Sequence, residues 1–163
     1  MITLVLGGAR SGKSVVAERL AAAAPQPVTY VATACAGDDL DHAARIAVHR
    51  ARRDPSWTTV EAGAALVDAL RTARGTVLVD SIGTWVAAHD DFAVDAHALR
   101  AALVARDGDS IVVSEEVGLG VHPSSELGVR FRDVLGAVNV ALADVADRAL
   151  LVVAGRALPL DRL

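Results

Sequence analysis

The sequence predicts a three-layer α/β sandwich, in which a mostly parallel sheet lies between two layers of helices. Short apolar segments of strand length alternate with longer, Ala-rich segments of helix length. The short segments are almost continuously apolar, as is typical of parallel strands that are covered on both faces. The chain has 163 residues, the length of one typical domain, so we assign residues 1–163 to a single domain.

The predicted elements alternate along the chain, which favours right-handed crossovers between parallel strands. The tail "ALPLDRL" predicts a short antiparallel strand at one edge of the sheet, because Pro159 lacks the N–H that an inner strand must donate. The predicted strands are Ile2–Leu6, Val28–Thr33, Thr58–Glu61, Thr76–Asp80, Ser110–Ser114 and Ala149–Ala154. The predicted helices are Lys13–Ala23, Asp39–Arg53, Gly63–Arg74, Ala93–Arg106 and Glu126–Asp144.

The composition limits the class of protein. The chain is 53% hydrophobic but only 3% aromatic, so Ala, Val, Leu and Ile must build the core. A single cysteine, Cys35, excludes an internal disulfide and suits the reducing cytoplasm. The net charge of −4 argues against a general nucleic-acid binder. The N-terminus shows no basic leader, and its apolar run is too short to span a bilayer, so we expect a cytoplasmic protein without membrane insertion.

A phosphate-binding motif lies between the first predicted strand and the first predicted helix. The segment "GGARSGKS" matches the pattern G-x-x-x-x-G-K-[ST], and its glycines allow phosphates to approach the backbone closely. The amides of this loop and the following helix N-terminus attract anions. We therefore predict a nucleoside triphosphate site, with Ser14 as a ligand of Mg²⁺. The predicted loop comprises Gly7, Gly8, Ala9, Arg10, Ser11, Gly12, Lys13 and Ser14.

Lys13 is the only lysine in the chain, although Lys and Arg together number 16. A coding bias toward arginine explains why arginine outnumbers lysine in this chain. It does not explain why the one lysine lies in the predicted phosphate-binding loop. An ammonium on a flexible stem reaches the β- and γ-phosphates as a point charge, which a planar guanidinium does less well.

Asp80, Glu115 and Glu116 lie at or just after the ends of predicted strands, at the edge where open α/β sheets bind ligands. Asp80 ends "TVLVD" and is suited to lie near Mg²⁺, although the same position is also typical of a turn or helix-capping aspartate. Glu115 and Glu116 directly follow the next predicted strand, Ser110–Ser114. Because neighbouring side chains of an extended segment point to opposite sides, at most one of these two glutamates belongs to the site.

The predicted helix Asp39–Arg53 carries His42, Arg45, His49 and Arg52 on one face. Judged by spacing alone, a solvated basic face explains this pattern best, with cations near the helix C-terminus. The chemical alternative is a phosphate site, in which a neutral imidazole is the nucleophile and guanidiniums bind phosphates.

His122 follows a glycine-rich stretch and fits either a loop over a cleft or a surface turn. Trp57 and Trp85 are interpreted as packing residues.

The motifs resemble, in order, one family along nearly the whole chain. The segments "GGARSGKS", "YVAT", "RIAVHRARRDPSW", "EVGLGVHP" and "RFRDVLGAVN" are similar to those of the bifunctional adenosylcobinamide kinase/adenosylcobinamide-phosphate guanylyltransferase family of cobalamin biosynthesis. The resemblance implies a P-loop NTPase fold, usually assembled as a homotrimer. It also implies that ATP or GTP phosphorylates a hydroxyl of adenosylcobinamide, and that GMP from GTP is then transferred to the new phosphate with release of pyrophosphate.

The resemblance also implies roles for individual residues. His49 would carry GMP as a covalent phosphoramidate, Lys13 would act on the triphosphate, and Ser14 and Asp80 would hold Mg²⁺. Further nucleotide contacts, besides the Gly7–Ser14 loop, would come from Ala32, Thr33, Ala34, Arg50, Ala51, Arg52, Arg53, Glu61 and Asp80.

Two segments depart from the family pattern. The family generally has an asparagine where this chain has Glu115, and often a further asparagine after the tryptophan of the segment that reads "GTWVAAHD" here. Both changes fall near the loops that the resemblance assigns to cobinamide.

Two other functions share the loop. A simpler P-loop kinase would use the arginines as a phosphate clamp and would form no covalent intermediate. A GTP-driven switch is disfavoured because the guanine-reading pattern N-K-x-D is absent: Asn139 is the only asparagine and Lys13 the only lysine.

Overall fold

The computed structural model describes residues 1–34 and 53–162. In these residues seven strands form one sheet with the order β3-β2-β4-β5-β1-β6-β7. Neighbouring strands are parallel except for β6 and β7, which are antiparallel. The strands are β1 (Ile2–Gly7), β2 (Val28–Ala32), β3 (Thr58–Glu61), β4 (Thr76–Asp80), β5 (Ser110–Glu115), β6 (Arg148–Val153) and β7 (Arg156–Leu160).

Five α-helices lie in the described ranges, together with the short 3₁₀ segments Gly63–Ala65 and Asp90–Phe92. No helix there has both the length and the apolar character that crossing a bilayer requires. The helices are α1 (Lys13–Ala23), α2 (Leu66–Thr72), α3 (Ile82–Ala87), α4 (Ala96–Val104) and α5 (Glu126–Ala143).

The predicted fold class is confirmed, including the antiparallel strand at the C-terminus. Pro159 lies in β7, at the outer edge of the sheet, where its missing N–H costs no inner ladder bond. The predicted bounds of α1, β3 and β4 agree with the structure; those of β1, β2 and β5 differ by one residue at one end, and those of β6 by one residue at each end. The predicted helix Asp39–Arg53 lies outside the described residues, except for Arg53.

Two predicted helices are shorter than the sequence indicated. The helix predicted over Gly63–Arg74 begins as a 3₁₀ turn, where Gly63 has a φ of 52°, and its α-helical part ends at Thr72. The helix predicted over Ala93–Arg106 begins only at Ala96, because the Asp95 side chain accepts a hydrogen bond of 2.8 Å from Ala98 N and caps it. Helix α3 was not predicted, since six residues are too few to show a helical period.

The core has two parts, one on each face of the sheet. One face packs against α2, α3, α4 and α5, with Leu66, Trp85, Leu99 and Leu135 among its buried side chains. The other face, which carries the buried side chain of Tyr30, packs against α1, which contributes Ala17 and Ala21, and against Trp57. Both tryptophans are buried, as predicted.

The register of the sheet places the predicted site residues at one edge. Gly7 is the partner of Glu115 across β1 and β5, and Ala32 is the partner of both Asp80 and Glu61. Because these strands are parallel, their carboxyl ends and the loops that follow them meet on the same side of the sheet.

Candidate nucleotide-binding site

The loop between β1 and α1 has the form of a phosphate cradle. Helix α1 begins at Lys13 after Gly12, which is its N-cap residue and has no side-chain capping bond. The first amides of this helix are therefore directed toward the loop, and the helix dipole adds positive potential there. Within the loop, Ser11 N donates to Gly8 O over 3.3 Å, and Lys13 N donates to Ser11 Oγ over 3.3 Å.

Two glycines of the loop are required by its geometry. A Cβ atom at Gly7 would lie 2.5 Å from Ser11 Oγ and 2.9 Å from Val152 O. Gly12 has a φ of 92°, in the left-handed region, and a Cβ there would lie 3.1 Å from the Cα of Gly155. Gly155 lies in the turn between β6 and β7, and its N donates to Ser11 O over 2.7 Å. The C-terminal hairpin thus supports the loop from behind.

The Lys13 side chain lies between the loop and the end of β5. Its ammonium donates to Gly8 O over 3.4 Å and pairs with Glu115 Oε1 over 3.6 Å. The second carboxylate oxygen of Glu115 accepts a hydrogen bond of 2.8 Å from Gly83 N, in the first turn of α3. Glu116 instead accepts from Gly118 N over 2.7 Å. Of the two adjacent glutamates, it is therefore Glu115 that reaches the loop lysine.

Asp80 connects the loop to the neighbouring strands. Its Oδ1 accepts from Ser14 Oγ over 3.4 Å, and its Oδ2 accepts from the Tyr30 hydroxyl over 2.7 Å. Burial, followed by the charge of Asp80, raises the pKa of Tyr30 far above its ordinary value. The tyrosine therefore remains a hydrogen-bond donor, and the carboxylate remains its acceptor.

Arg53 lies against the same group of side chains. Its guanidinium carbon is 4.1 Å from the centre of the Tyr30 ring, within the range of a cation–π contact. Its Nη1 pairs with Glu61 Oε1 over 3.5 Å, and only 10% of the arginine side chain is exposed. Arg53, Glu61 and Asp80, which the family resemblance grouped together, are thus neighbours through Tyr30.

The stretch from Ala32 to Ala34 follows β2 beside these groups. The Thr33 side chain is fully buried, and its hydroxyl accepts from Ser81 N over 2.8 Å and lies 2.6 Å from the Thr84 hydroxyl. Thr33 N also donates to Asp80 O over 3.2 Å. The Thr33 hydroxyl therefore holds the turn after β4 in place, and of this stretch only Ala34 is partly exposed.

A buried asparagine fixes the end of β5. Asn139 in α5 is 7% exposed, accepts from Ser114 Oγ over 2.5 Å and donates to Glu115 O over 3.0 Å. It is the only asparagine of the chain. Its role is to position the strand that carries Glu115.

The structure brings together most of the predicted site residues. Ser14 contacts Asp80, and Lys13 directly precedes Ser14 in the loop; Tyr30 and Arg53 connect Asp80 to Glu61. Their contact with a nucleotide stays a prediction. Four other predicted site residues lie outside the described ranges: His49, Arg50, Ala51 and Arg52.

Sequence reasoning missed three residues that organise this site: Tyr30, Gly83 and Asn139. For Tyr30 and Asn139 a signal was available, because each is the only residue of its type in the chain. Gly83 gave no signal, since the helix in whose first turn it lies was itself not predicted. His122 is exposed and lies 2.9 Å from Arg132 Nη1, in the loop after β5.

Comparison with known proteins decides the family. The family model described as cobinamide kinase / cobinamide phosphate guanyltransferase matches residues 3–160. The chain belongs to this family. Membership in the cobinamide kinase / cobinamide phosphate guanyltransferase family confirms the resemblance noted from the motifs, and with it the class of enzyme: a kinase and nucleotidyltransferase of cobalamin biosynthesis.

Individual relatives align over almost their full length. The chain is 43% identical over 169 aligned positions to the bifunctional adenosylcobalamin biosynthesis protein CobP of Pseudomonas aeruginosa, covering 98% of this chain and 97% of that protein. It is 38% identical to the bifunctional adenosylcobalamin biosynthesis protein CobU of Salmonella typhimurium, covering 95% and 97%. Among solved structures, the P4 protein from bacteriophage phi6 in complex with ADP aligns with a TM-score of 0.48 at 12% identity, over 96% of this chain and 53% of that one.

Proposed function

We propose that this site carries out two reactions in sequence on one small molecule. In the first, the γ-phosphoryl group of ATP or GTP is transferred to the hydroxyl of the aminopropanol arm of adenosylcobinamide. In the second, GMP from GTP is transferred to the new phosphate through a covalent intermediate on His49, which yields adenosyl-GDP-cobinamide and pyrophosphate. The family supports the two activities, and the covalent step on His49 is our inference.

The observation that carries the first reaction is the group formed by Lys13, Ser14 and Asp80. The Lys13 ammonium is suited to bind the β- and γ-phosphates, as a point charge at the start of α1. Ser14 Oγ and Asp80 Oδ1 lie 3.4 Å apart and offer the hard oxygen donors that Mg²⁺ prefers. These two residues would hold Mg²⁺, which when bound would neutralise charge on the phosphate oxygens.

The second reaction would proceed in two balanced steps. A neutral His49 ring nitrogen attacks the α-phosphorus of GTP, a P–N bond forms, and the bond to the β-phosphate oxygen breaks with release of pyrophosphate. A phosphate oxygen of cobinamide phosphate then attacks the same phosphorus, and the P–N bond breaks to release His49. A neutral nucleophile suits this step, because it adds no further anion to the charged phosphates.

The described end of the histidine-containing segment supports this proposal. Arg53 follows His49 by four residues, and its guanidinium is fixed between Tyr30 and Glu61, one side chain away from Asp80. A guanidinium in such a position can offset charge on nucleotide phosphates. The motif that contains His49 therefore ends at the proposed nucleotide site.

Intact-mass analysis after incubation with GTP tests the covalent step. We expect the wild-type protein to gain the mass of one GMP, and His49→Ala to lose this adduct while it still phosphorylates adenosylcobinamide. His42→Ala is the matched control, because His42 is predicted to share a helix face with His49. An adduct that persists in His49→Ala and disappears in His42→Ala would show that the assignment of His49 is wrong.

Pyrophosphate release separates the proposal from a simple kinase. We expect release from GTP to become catalytic when adenosylcobinamide phosphate is present, because the acceptor regenerates free His49. A kinase without a covalent step would release no pyrophosphate from GTP under either condition.

A further inference from the structure

We propose that Glu115 is a positioning residue for Lys13, and that it competes with the triphosphate for the lysine ammonium and thereby lowers the affinity of the enzyme for triphosphates. This inference rests on the proposed function, since it takes the Gly7–Ser14 loop as the triphosphate site. It goes beyond that function because it assigns a role to a residue outside the predicted nucleotide contacts.

The contact between the two side chains is a charge pair rather than a tight hydrogen bond. Lys13 Nζ lies 3.6 Å from Glu115 Oε1, longer than the 2.7–2.9 Å of a strong charge-assisted hydrogen bond. The two side chains are 12% and 25% exposed, so solvent and salt screen the pair less than they screen a surface pair. The pair therefore stabilises the position of the ammonium, yet a phosphate that forms shorter hydrogen bonds can displace the carboxylate from it.

The carboxylate of Glu115 is itself fixed. Its Oε2 accepts from Gly83 N over 2.8 Å, and its backbone carbonyl accepts from Asn139 Nδ2 over 3.0 Å. A Cβ at Gly83 would collide with this carboxylate, so glycine at that position lets Glu115 reach the backbone of α3. Because Glu115 is held from both sides, Lys13 has to leave the carboxylate in order to bind a phosphate.

This arrangement opposes the binding of triphosphates. The β- and γ-phosphates must draw Lys13 away from Glu115, and they then place negative charge beside a carboxylate that has lost its partner. A nucleoside monophosphate does not extend to the β and γ positions, so it makes no such demand on Lys13. The effect of Glu115 should therefore depend on the number of phosphates in the ligand.

The test is calorimetric titration of wild type and Glu115→Gln with β,γ-methylene-ATP and with AMP, in the presence of Mg²⁺. Glutamine removes the charge but keeps an oxygen that can accept from Gly83 N. We expect the Kd for the triphosphate analogue to fall about three- to tenfold, and the Kd for AMP to stay unchanged. In steady-state assays with ATP, KM should fall while kcat stays near the wild-type value, as for a change that affects ground state and transition state equally.

Asp68→Asn is the charge control, because Asp68 is exposed on α2, pairs with Arg71 and loses the same unit of charge. Its affinity for the analogue should equal that of wild type. A second variant, Glu115→Asn, removes the charge with a shorter amide and should lower the Kd in the same direction, which covers the case that Glu115→Gln does not fold.

An unchanged or higher Kd for the analogue in folded Glu115 variants would overturn the inference, as would an equal gain in affinity for AMP. Lys13→Ala separates this failure from that of the proposed function. If Lys13→Ala loses triphosphate binding while Glu115→Gln changes nothing, only the role of Glu115 is wrong. If Lys13→Ala binds like wild type, the loop is not the triphosphate site.

Discussion

The hydroxyl of Tyr30 donates a hydrogen bond of 2.7 Å to Oδ2 of Asp80, which leaves the other oxygen of that carboxylate beside Ser14. The tyrosine therefore decides which face of Asp80 turns toward the loop. Its raised pKa, caused first by burial and then by Asp80, keeps the proton on the hydroxyl. A strand residue on the covered face of the sheet thus orients a group that is proposed to hold Mg²⁺.

Tyr30→Phe should weaken the response to Mg²⁺ while it leaves the fold intact. The variant keeps the aromatic ring under Arg53 but removes the donor to Asp80, so the carboxylate loses its fixed orientation. Loss of one hydrogen bond to a charged group costs about 1.5–3 kcal/mol. Because only part of this cost weakens Mg²⁺ binding, we expect the Mg²⁺ concentration at half-maximal activity to rise roughly three- to tenfold. Nucleotide binding without metal is the control and should not change. An unaltered Mg²⁺ titration would show that Asp80 needs no such support.

Asp80→Asn should have a larger effect on the same Mg²⁺ titration. Mg²⁺ takes few carboxylate ligands from proteins of this kind, so the loss of one negative oxygen donor is severe. The matched variant is Glu116→Gln, which removes a carboxylate that the structure directs to Gly118 N. If Glu116→Gln alone weakens the Mg²⁺ dependence, the metal belongs to the neighbouring strand end and the assignment of Asp80 is wrong.

The parts of this site that could be predicted are those that depend on strand ends and on a local motif. Gly7–Ser14 and Asp80 follow from an apolar run that stops at a defined residue, and parallel strands bring such ends together. The fold class followed from the same alternation of strands and helices. These features depend on short stretches of sequence, so no long-range contact had to be known.

The contacts that orient the site could not be predicted, because they join residues far apart in the chain. Tyr30 and Asp80 are 50 residues apart, and Glu115 and Gly83 are 32 residues apart. Neither pair shows a periodic signal, since each depends on the register of β2, β4 and β5 and on the turn before α3. The predicted start of the helix near residue 96 was wrong for a local reason: Asp95 caps a helix that the apolar pattern alone would have begun earlier.

Arg106→Met should destabilise the protein without a specific effect on nucleotide binding. Arg106 Nη1 donates to the carbonyls of Leu70 and Ala73 over 2.8 Å each, and its Nη2 donates to Gly75 O over 2.6 Å. It thus satisfies carbonyls at the C-terminal end of α2, and burial lowers the pKa of its guanidinium. We expect a loss of about 2–3 kcal/mol in the free energy of unfolding, measured with urea.

Arg71→Met is the matched control for that measurement. Arg71 lies on the exposed side of α2, where it pairs with Asp68 at 3.1 Å. Exposed pairs of this type contribute about 0–1 kcal/mol, so the unfolding midpoint should move little. Equal destabilisation by both substitutions would mean that the three carbonyl contacts of Arg106 contribute nothing beyond loss of charge.

Lys13→Ala should strongly reduce the productive use of triphosphates in both reactions. The ammonium is the one charged side chain that the loop directs between Gly8 O and the end of β5. A preorganised charge contact of this kind contributes about 3–4 kcal/mol to transition-state stabilisation, so kcat/KM should fall roughly 10²- to 10³-fold. The side chain is not part of either core cluster, and therefore the thermal unfolding midpoint should stay near that of wild type.

Lys13→Arg is the informative companion variant, because it keeps the charge but replaces a compact ammonium with a planar guanidinium. We expect this variant to retain nucleotide binding and to lose most of the turnover, measured as phosphate transfer to adenosylcobinamide. Wild-type turnover in Lys13→Ala would remove the loop lysine from the mechanism.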